Sequence, residues 1–222
     1  NIKTIFVKKK NAPTIIKTRY IESNNNIKSL GVYKINDQSI SKKEETDVIN
    51  KIKKNLNDHD LIIVSDFGHG LITDKIAKFI SSCKKDYTLN AQKNSNNHGY
   101  TNLNRFNNIN SLVINASELR QEFKDSETSL LKLARKLKQK KRIKSIVVTR
   151  GKDGALFLND KKNFNCPAFA SNVVDKVGAG DAMLSILALC NYIKLDPEVS
   201  MYISSLAAAN SVESLGNKEN VT

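Results

Sequence analysis

The sequence predicts an α/β domain in which helices cover both faces of a mostly parallel β-sheet, a three-layer α/β/α arrangement. Short β-branched apolar runs alternate along the chain with longer segments whose apolar residues recur at helical spacing. Runs such as residues 61–64 and 145–149 are continuously apolar at their centres, which is typical of parallel strands buried on both faces. A chain of 222 residues suffices for one such domain with a small appendage.

The net charge of +14 favours anionic ligands. Only six of the 36 basic residues are arginine, and the lysines are spread along the whole chain. Base recognition and bidentate phosphate contacts favour arginine, and aromatic residues, which stack on bases, make up only 6% of the chain. We therefore expect general attraction of anionic substrates and no specific nucleic-acid partner.

Cysteine usage and the lack of long apolar stretches point to a cellular compartment. Three cysteines, odd in number and widely spaced, indicate a reducing environment without a disulfide framework, and the three histidines show no metal-ligand spacing. No apolar stretch approaches bilayer length and no signal-peptide core is present, so we expect a cytoplasmic protein without membrane contact. The chain starts with Asn1 rather than methionine, and we expect its N-terminal part to be incomplete.

Residues 2–8 and 14–21 are β-branched runs that predict two neighbouring strands, and residues 31–35 predict a third. Lys17 and Arg19 share one face of the second strand because strand side chains alternate. They suit either a solvated edge strand that is protected by charge or a basic wall that faces an anionic substrate.

Residues 41–44 form a capping box that predicts a helix to about residue 56. The strand at residues 61–64 then ends in the loop Ser-Asp-Phe-Gly-His-Gly at residues 65–70. Open α/β sheets bind ligands at the carboxyl ends of their strands. Asp66 is therefore a candidate pocket residue, or else a turn residue that bonds its own backbone.

A helix over residues 73–85 precedes a strand over residues 86–90, which runs into an amide-rich stretch at residues 91–100. That stretch is either a linker or, because amides both donate and accept, a set of hydrogen-bonding groups for a polyhydroxylated ligand. Asn90 and Gln92 are the candidates next to the strand.

The strand at residues 111–114 ends in Asn115-Ala116-Ser117-Glu118. This tetrapeptide is either a variant capping box or an Asn and a Glu that orient Mg²⁺-bound water and phosphate oxygens. The motif alone does not separate the two interpretations.

A helix over residues 126–140 has a basic face that we expect to be solvated. Strands over residues 145–149 and 155–158 follow, separated by a tight turn in which Gly151 and Gly154 allow close backbone approach. By itself this glycine pattern is a weak functional signal.

Residues 175–181, Asp-Lys-Val-Gly-Ala-Gly-Asp, precede an apolar helix that is predicted to run to about residue 194. A Gly-Ala-Gly turn at a helix start leaves backbone N–H groups unpaired, and these groups suit a phosphate or an oxyanion. Asp181 is either placed beside this anion site for chemistry or is a first-turn acid that favours the helix dipole. A last helix is predicted from Pro197 to about residue 215.

Taken in chain order, three of these motifs resemble the ribokinase-like (phosphofructokinase B) carbohydrate kinase family. They are the Asn-x-x-Glu element at 115–118, the Val-Thr-Arg-Gly-Lys-Asp-Gly turn at 148–154 and the Gly-Ala-Gly-Asp signature within 175–181, the last being the most specific. Residues 65–70 and 13–20 look more narrowly like the bacterial heptose-phosphate kinase branch. The resemblance covers nearly the whole chain.

The resemblance implies a ribokinase-like fold with a small β lid. A single kinase domain would extend over residues 1–222, with about 1–35 as lid and connecting strands and about 41–222 as nucleotide-binding core. The implied activity is ATP-dependent phosphorylation of a hydroxyl of a sugar or sugar phosphate, with a heptose phosphate preferred. The implied cofactors are ATP, Mg²⁺ and a monovalent cation near Asp175. A homodimer and a fused nucleotidyltransferase domain are also compatible with the resemblance.

The family's functional residues carry over by position. Asp181 matches the general base. Gly178, Ala179 and Gly180 match the anion hole. The Mg²⁺ residues, acting through water, match Asn115 and Glu118. The nucleotide residues match Thr149, Gly151, Gly154 and Asn210. The substrate candidates stay those named above from their places along the chain: Lys17, Arg19, Asp66, Asn90 and Gln92.

The sequence also departs from the family pattern. Lys176 stands where the family usually has Thr, and neither the family's first sugar-binding Asp nor its Gly-Gly substrate motif is present. Two alternatives therefore stay open. One is a nucleoside or other small-alcohol kinase of the same fold, and the other is a non-catalytic nucleotide-binding or assembly domain.

Overall fold

The computed structural model describes residues 2–22, 28–92, 102–175 and 177–213. Within these ranges eight strands form two sheets, and six α-helices are present, none of them long and apolar enough to cross a membrane. The strands are β1 (Ile16–Ile21), β2 (Lys28–Lys34), β3 (Leu61–Asp66), β4 (Asp86–Ala91), β5 (Ser111–Asn115), β6 (Ser145–Thr149), β7 (Ala155–Leu158) and β8 (Asn163–Cys166). The helices are α1 (Lys42–Asn55), α2 (Asp74–Ser82), α3 (Ala116–Phe123), α4 (Leu130–Lys141), α5 (Ala179–Tyr192) and α6 (Pro197–Val212).

The larger sheet has the strand order β3-β4-β5-β6-β7-β8. β3 to β6 are parallel neighbours, and β7 and β8 continue the sheet antiparallel. The predicted mostly parallel sheet is therefore confirmed. β8 is not predicted from the sequence, because Asn-Phe-Asn-Cys contains neither a β-branched run nor an apolar centre.

Helices cover both faces of this sheet. One core contains apolar residues of α1 to α4 together with strand residues such as Val64, Leu89 and Ile114. The second core contains strand residues such as Val113 and Val147 together with apolar residues of α5 and α6. Because strand side chains alternate between faces, adjacent residues of β5 enter different cores, and the predicted three-layer arrangement is confirmed.

Side-chain caps begin five of the six described helices. The caps of α1, α2, α3, α4 and α6 are Ser41, Thr73, Asn115, Ser129 and Asp196, each of which accepts a hydrogen bond from a backbone N–H. The cap at Ser129 explains why α4 begins at residue 130 and not at residue 126 as predicted. Gly178 precedes α5, and no side chain caps that helix.

The N-terminal segment differs from the prediction. Residues 2–15 contain no strand, and β1 pairs antiparallel with β2 instead. Ile2 and Phe6 are 93% and 75% exposed, so burial does not stabilise a strand there. A side chain of α1 holds the segment, because Glu44 Oε1 accepts a hydrogen bond from the Lys10 N–H at 2.6 Å.

We call the small sheet of β1 and β2 the lid. The segment that connects it to α1 is held by hydrogen bonds to the loop after β3. The Asp37 carboxylate contacts His69 Nδ1 at 2.6 Å, and the Ile40 N–H donates to the Gly70 carbonyl at 3.0 Å. Gly70 has a φ of +80°, and a Cβ there would lie 2.1 Å from the Gln38 carbonyl oxygen. Only glycine fits this crossing of lid connection and β3 loop.

Several sequence predictions fall outside the described residues. They concern the turn at residues 24–26, the amides at residues 93–100, Lys176, and the end of the last helix near residue 215.

Candidate functional site

Polar residues end the parallel strands on the face that α5 covers. Ser65 of β3 pairs in register with Asn90 of β4. Asn115 of β5 pairs with Thr149 of β6. Val113, two residues before Asn115, packs in the core below α5, so alternation assigns all four side chains to the α5 face. Their position agrees with the rule that α/β sheets bind ligands at the carboxyl ends of strands.

The start of α5 presents backbone donors that have no intrahelical acceptor. Gly178 precedes the helix with a φ of 97°, which favours glycine, and the first intrahelical bond runs from Ala182 N–H to the Gly178 carbonyl at 2.9 Å. The N–H groups of residues 179–181 therefore have no intrahelical acceptor. Apart from its chain neighbours and the backbone of its own helix, a Cβ on Gly180 would meet no atom of the described residues within 4 Å. Donors without an intrahelical acceptor, open space and the positive end of the helix dipole together suit an anion.

The segment before α5 is fastened to the end of α6. The Val212 carbonyl accepts hydrogen bonds from the N–H groups of Val174 at 2.8 Å and Asp175 at 3.1 Å. Asp175 Oδ1 in turn accepts from the Val177 N–H at 3.0 Å. Asn210, exposed on the last turn of α6, lies two residues before this junction. The cation near Asp175 and the nucleotide contact of Asn210 stay predictions.

Asp181 lies in the first turn of α5, and its carboxylate reaches the end of β3. Its Oδ1 accepts a hydrogen bond from Ser65 Oγ at 3.3 Å, across 116 residues of sequence. The side chain is only partly buried. A carboxylate directed at the edge of the sheet, beside an open helix start, is accessible to a ligand that binds there.

Asn115 and Glu118 cap each other. Asn115 Oδ1 accepts from the Glu118 N–H at 2.8 Å, and Glu118 Oε2 accepts from the Asn115 N–H at 3.0 Å. The capping box predicted as one interpretation is therefore present. Both side chains supply oxygen atoms, the donors that Mg²⁺ prefers, and their engagement with backbone amides fits contact through water. The described residues contain no cluster of three metal-binding side chains, and the contact of Asn115 and Glu118 with Mg²⁺ through water stays a prediction.

The turn after β6 keeps two glycines for different reasons. The Arg150 N–H donates to the Gly154 carbonyl at 2.8 Å, and the Gly154 N–H donates to the Gly151 carbonyl at 3.0 Å. A Cβ on Gly154 would lie 2.0 Å from the Cys166 carbonyl oxygen, so the fold itself requires this glycine. Gly151, with a φ of +60°, has open space beside it. Of the two, Gly151 is the one beside which a ligand has room.

Asp66 points away from this face. It follows Ser65 on β3 and shares the face of Val64, which packs with α1 to α4. Asp66 is only 3% exposed; its Oδ1 accepts from the Gly68 N–H at 2.9 Å, and no described residue bonds its Oδ2. Burial raises the pKa of this carboxyl, although the Gly68 bond and the charges of Arg105 and His69 act in the opposite direction. The turn interpretation of Asp66 agrees with this geometry.

The other substrate candidates lie in three places. Asn90 is buried, donates from Nδ2 to the Val113 carbonyl at 2.9 Å, and has no described partner at Oδ1. The Gln92 N–H donates to the Asp66 carbonyl at 2.9 Å, just past the end of β4. Lys17 and Arg19 belong to β1 of the lid and not to the larger sheet.

Ser65 is the site residue that sequence reasoning misses. Its signal is present, since it directly precedes Asp66 at the end of a predicted strand. The sequence does not say which face of that strand α5 covers, and the face decides which of the two residues meets Asp181.

The chain is similar to known proteins in sequence and in fold. A family model for "pfkB family carbohydrate kinase" matches residues 1–221. The bifunctional protein HldE of Campylobacter fetus subsp. fetus is 26% identical over 219 residues, which cover 97% of this chain and 46% of that protein. The chain therefore spans about half the length of this relative.

Solved kinase structures share the fold. Escherichia coli phosphofructokinase-2 in complex with potassium has a TM-score of 0.69 at 15% identity, covering 85% of this chain and 62% of that one. Arabidopsis thaliana ribokinase complexed with ribose and ATP has a TM-score of 0.65 at 17% identity, covering 95% and 66%. Together with the three-layer architecture, these likenesses confirm the predicted ribokinase-like fold.

Proposed function

The chain belongs to the pfkB family of carbohydrate kinases, and we propose that it supports ATP-dependent phosphoryl transfer to a hydroxyl group of a sugar or sugar phosphate. One observation carries the proposal. α5 alone among the six described α-helices lacks a side-chain cap, it has open space at Gly180, and the carboxylate of Asp181 in the same turn reaches the carboxyl edge of the sheet.

The start of α5 suits the transferred phosphoryl group. In phosphoryl transfer, the protein acts mainly by placing hydrogen-bond donors that stabilise the negative charge on the equatorial oxygens, and not by forming a covalent bond. The N–H groups of Ala179, Gly180 and Asp181 supply such donors, and the missing Cβ of Gly180 lets an oxygen approach the backbone. In each of the other described α-helices, a side-chain oxygen already accepts from one of the corresponding N–H groups.

Asp181 is assigned as the general base. It takes the proton of the acceptor hydroxyl while that oxygen forms a bond to the γ-phosphorus of ATP. The bond between this phosphorus and the β–γ bridging oxygen breaks, and ADP leaves. A carboxylate is an adequate base when proton transfer accompanies bond formation. The proton on Asp181 is then released to solvent.

The nucleotide is assigned to the strand ends beside α5. Thr149, Gly151 and Asn210 are proposed to contact ATP, and Asn115 and Glu118 to hold Mg²⁺ through water. Mg²⁺, when bound, neutralises the charge of the phosphate oxygens. The mutual capping of Asn115 and Glu118 fixes both oxygens before any ligand arrives.

A heptose phosphate is the proposed acceptor. Two features support it: residues 65–70 and 13–20 resemble the heptose-phosphate kinase branch, and the relative HldE matches 97% of the chain. Because that relative is named bifunctional, a fused nucleotidyltransferase domain in the whole protein belongs to the same proposal. Lys17 and Arg19 of the lid and Asn90 of β4 are the proposed acceptor contacts.

A turnover panel tests the proposed function. The longest natural polypeptide that contains this chain would be assayed for ADP release with ATP, Mg²⁺ and three groups of acceptors: sugars, sugar phosphates including heptose phosphates, and nucleosides. Phosphorylation of a sugar phosphate is the expected result. Transfer only to nucleosides would establish the nucleoside kinase alternative. ATP binding without transfer to any acceptor would establish the non-catalytic alternative.

A further inference from the structure

Two serine hydroxyls contact Asp181, and they contact different groups. Ser65 Oγ donates to the carboxylate at 3.3 Å, from the end of β3. Ser185 Oγ donates to the backbone carbonyl of Asp181 at 2.9 Å, from one turn further along α5. Both serines are exposed. Of these two serines, Ser65 is therefore the one that restrains the part of Asp181 that would take part in proton transfer.

The Ser65 contact solves a geometric problem of an aspartate base. The χ2 torsion of aspartate is broad, so a carboxylate without a partner samples many orientations. A general base has to present one oxygen to the acceptor hydroxyl within hydrogen-bond reach, and catalytic groups depend on such supporting contacts. A hydroxyl donor at Oδ1 fixes the plane of the carboxylate and leaves Oδ2 for the proton of the acceptor.

We propose that Ser65 is a positioning residue for Asp181, which selects the carboxylate orientation that accepts the proton of the acceptor hydroxyl. This inference rests on the proposed role of Asp181 as base. Ser65 suits this positioning role because it lies on β3 of the larger sheet, whereas Asp181 lies on α5, the helix that covers that sheet. The hydrogen bond between Ser65 and Asp181 thus connects the end of β3 to α5 directly at the carboxylate of the proposed base.

The test compares Ser65→Ala, Ser65→Cys and Ser65→Thr with the matched control Ser185→Ala in the full chain. Alanine removes the donor, and cysteine keeps nearly the same shape with a weak donor. Both should lower kcat about 10-fold or more while KM for ATP and for the acceptor stays within about twofold. Threonine keeps the hydroxyl and should restore most of kcat. Ser185→Ala should leave both parameters unchanged.

Three outcomes would overturn the positioning role. They are an unchanged kcat in Ser65→Ala, a raised acceptor KM at unchanged kcat, which would make Ser65 a direct substrate contact, and no rescue by threonine. Combining Ser65→Ala with Asp181→Asn adds a coupling test, because removing the donor should cost nothing further once the base is gone. If Asp181→Asn alone retains full turnover, the proposed base is wrong. If only that variant is inactive, the base stands and the role of Ser65 fails.

Discussion

Ser65 and Asp66 are neighbours on β3, yet their side chains lie on opposite faces of the sheet. Ser65 meets the carboxylate of Asp181 at 3.3 Å, whereas Asp66 is buried in the other layer and accepts from the Gly68 N–H. Two adjacent residues of one strand thus have different surroundings: Ser65 contacts the proposed base, and Asp66 is a buried acid. Variants at the two positions should accordingly affect different properties, turnover for Ser65 and pH-dependent stability for Asp66.

Asp66→Asn should stabilise the fold more as the pH rises. Burial raises the folded-state pKa of Asp66 above its ordinary value of 3.8. Ionisation therefore costs more in the folded chain than in the unfolded chain, so this group lowers stability as the pH rises from about 3.8 through the folded pKa. Asparagine does not ionise and still accepts from Gly68.

Thermal unfolding between pH 4 and pH 8 measures this effect. The Tm of Asp66→Asn minus that of the natural chain should grow with pH and level off above the folded pKa. The variant Asp58→Asn, at an exposed position, serves as control and should show no such trend. A difference that stays constant over the whole pH range would contradict the assignment of Asp66 as a buried acid.

Asp181→Asn should abolish most turnover and spare nucleotide binding. Removing a general base costs about 10²–10⁴-fold in rate. The amide keeps the shape of the side chain and can still accept from Ser65, so the fold should not change. Steady-state kinetics give kcat, and calorimetric titration with ATP gives the Kd. Equal losses of kcat and of ATP affinity would argue for a structural role instead.

Gly180→Ala should remain folded and lose activity. A methyl group there meets no atom within 4 Å, and alanine favours a helix over glycine by up to about 1 kcal/mol. The same methyl would stand where a phosphoryl oxygen approaches the backbone donors, so kcat should fall about 100-fold. Full activity in this variant would move the phosphoryl site away from the start of α5.

Gly178→Ala provides the contrast. Its φ of 97° is unfavourable for alanine, and the substitution should destabilise the fold by about 1–2 kcal/mol. Thermal melts compare the two glycine variants. A lower Tm is expected for Gly178→Ala, because the backbone there needs glycine, and not for Gly180→Ala, where glycine is needed only for the ligand. Equal loss of stability in both would mean that Gly180 also has a purely structural role.

Glu118→Gln should weaken the apparent affinity for Mg²⁺ without unfolding α3. Glutamine serves in capping boxes as glutamate does, so the cap on Asn115 survives. Groups that act around a metal through water typically contribute 10–100-fold in metal affinity or activity. The Mg²⁺ concentration for half-maximal turnover should therefore rise about 10-fold.

A matched control exists at the start of α1. Glu44 forms the same capping box with Ser41, so Glu44→Gln makes the same chemical change in the same motif on another helix. It should leave the Mg²⁺ dependence unaltered. If Glu118→Gln behaves like this control, then Asn115 and Glu118 form a capping box and nothing more.

Much of the fold follows from the sequence because its signals are local. Continuous apolar runs predict β3, β5 and β6, and the capping box at Ser41 predicts the start of α1. The N-terminal run at residues 2–8 fails as a strand, because β-branched residues favour a strand only where a partner and a buried face exist. That information belongs to the tertiary structure and not to the run itself.

The site is only partly predictable for a related reason. The sequence indicates that Asn115, Thr149 and Asp181 lie near strand and helix ends, and parallel strands bring such ends to one edge. It does not reveal that α5 covers the face of Ser65. Alternation shows that Ser65 and Asp66 lie on opposite faces of the sheet, but it does not show which helix packs on which face. The sequence alone therefore favours Asp66 as the site residue, whereas in the structure Ser65 is the one that contacts Asp181.

One carbonyl group links two parts of the proposed nucleotide site. Val212 accepts from both Val174 and Asp175, so hydrogen bonds tie the end of α6 to residues that shortly precede α5. We therefore expect a ligand that restrains the last turn of α6 to lower the entropic cost of ordering the proposed phosphoryl site. Thermodynamic linkage makes this effect reciprocal: a phosphate analogue at α5 should tighten the binding of adenosine by the same factor.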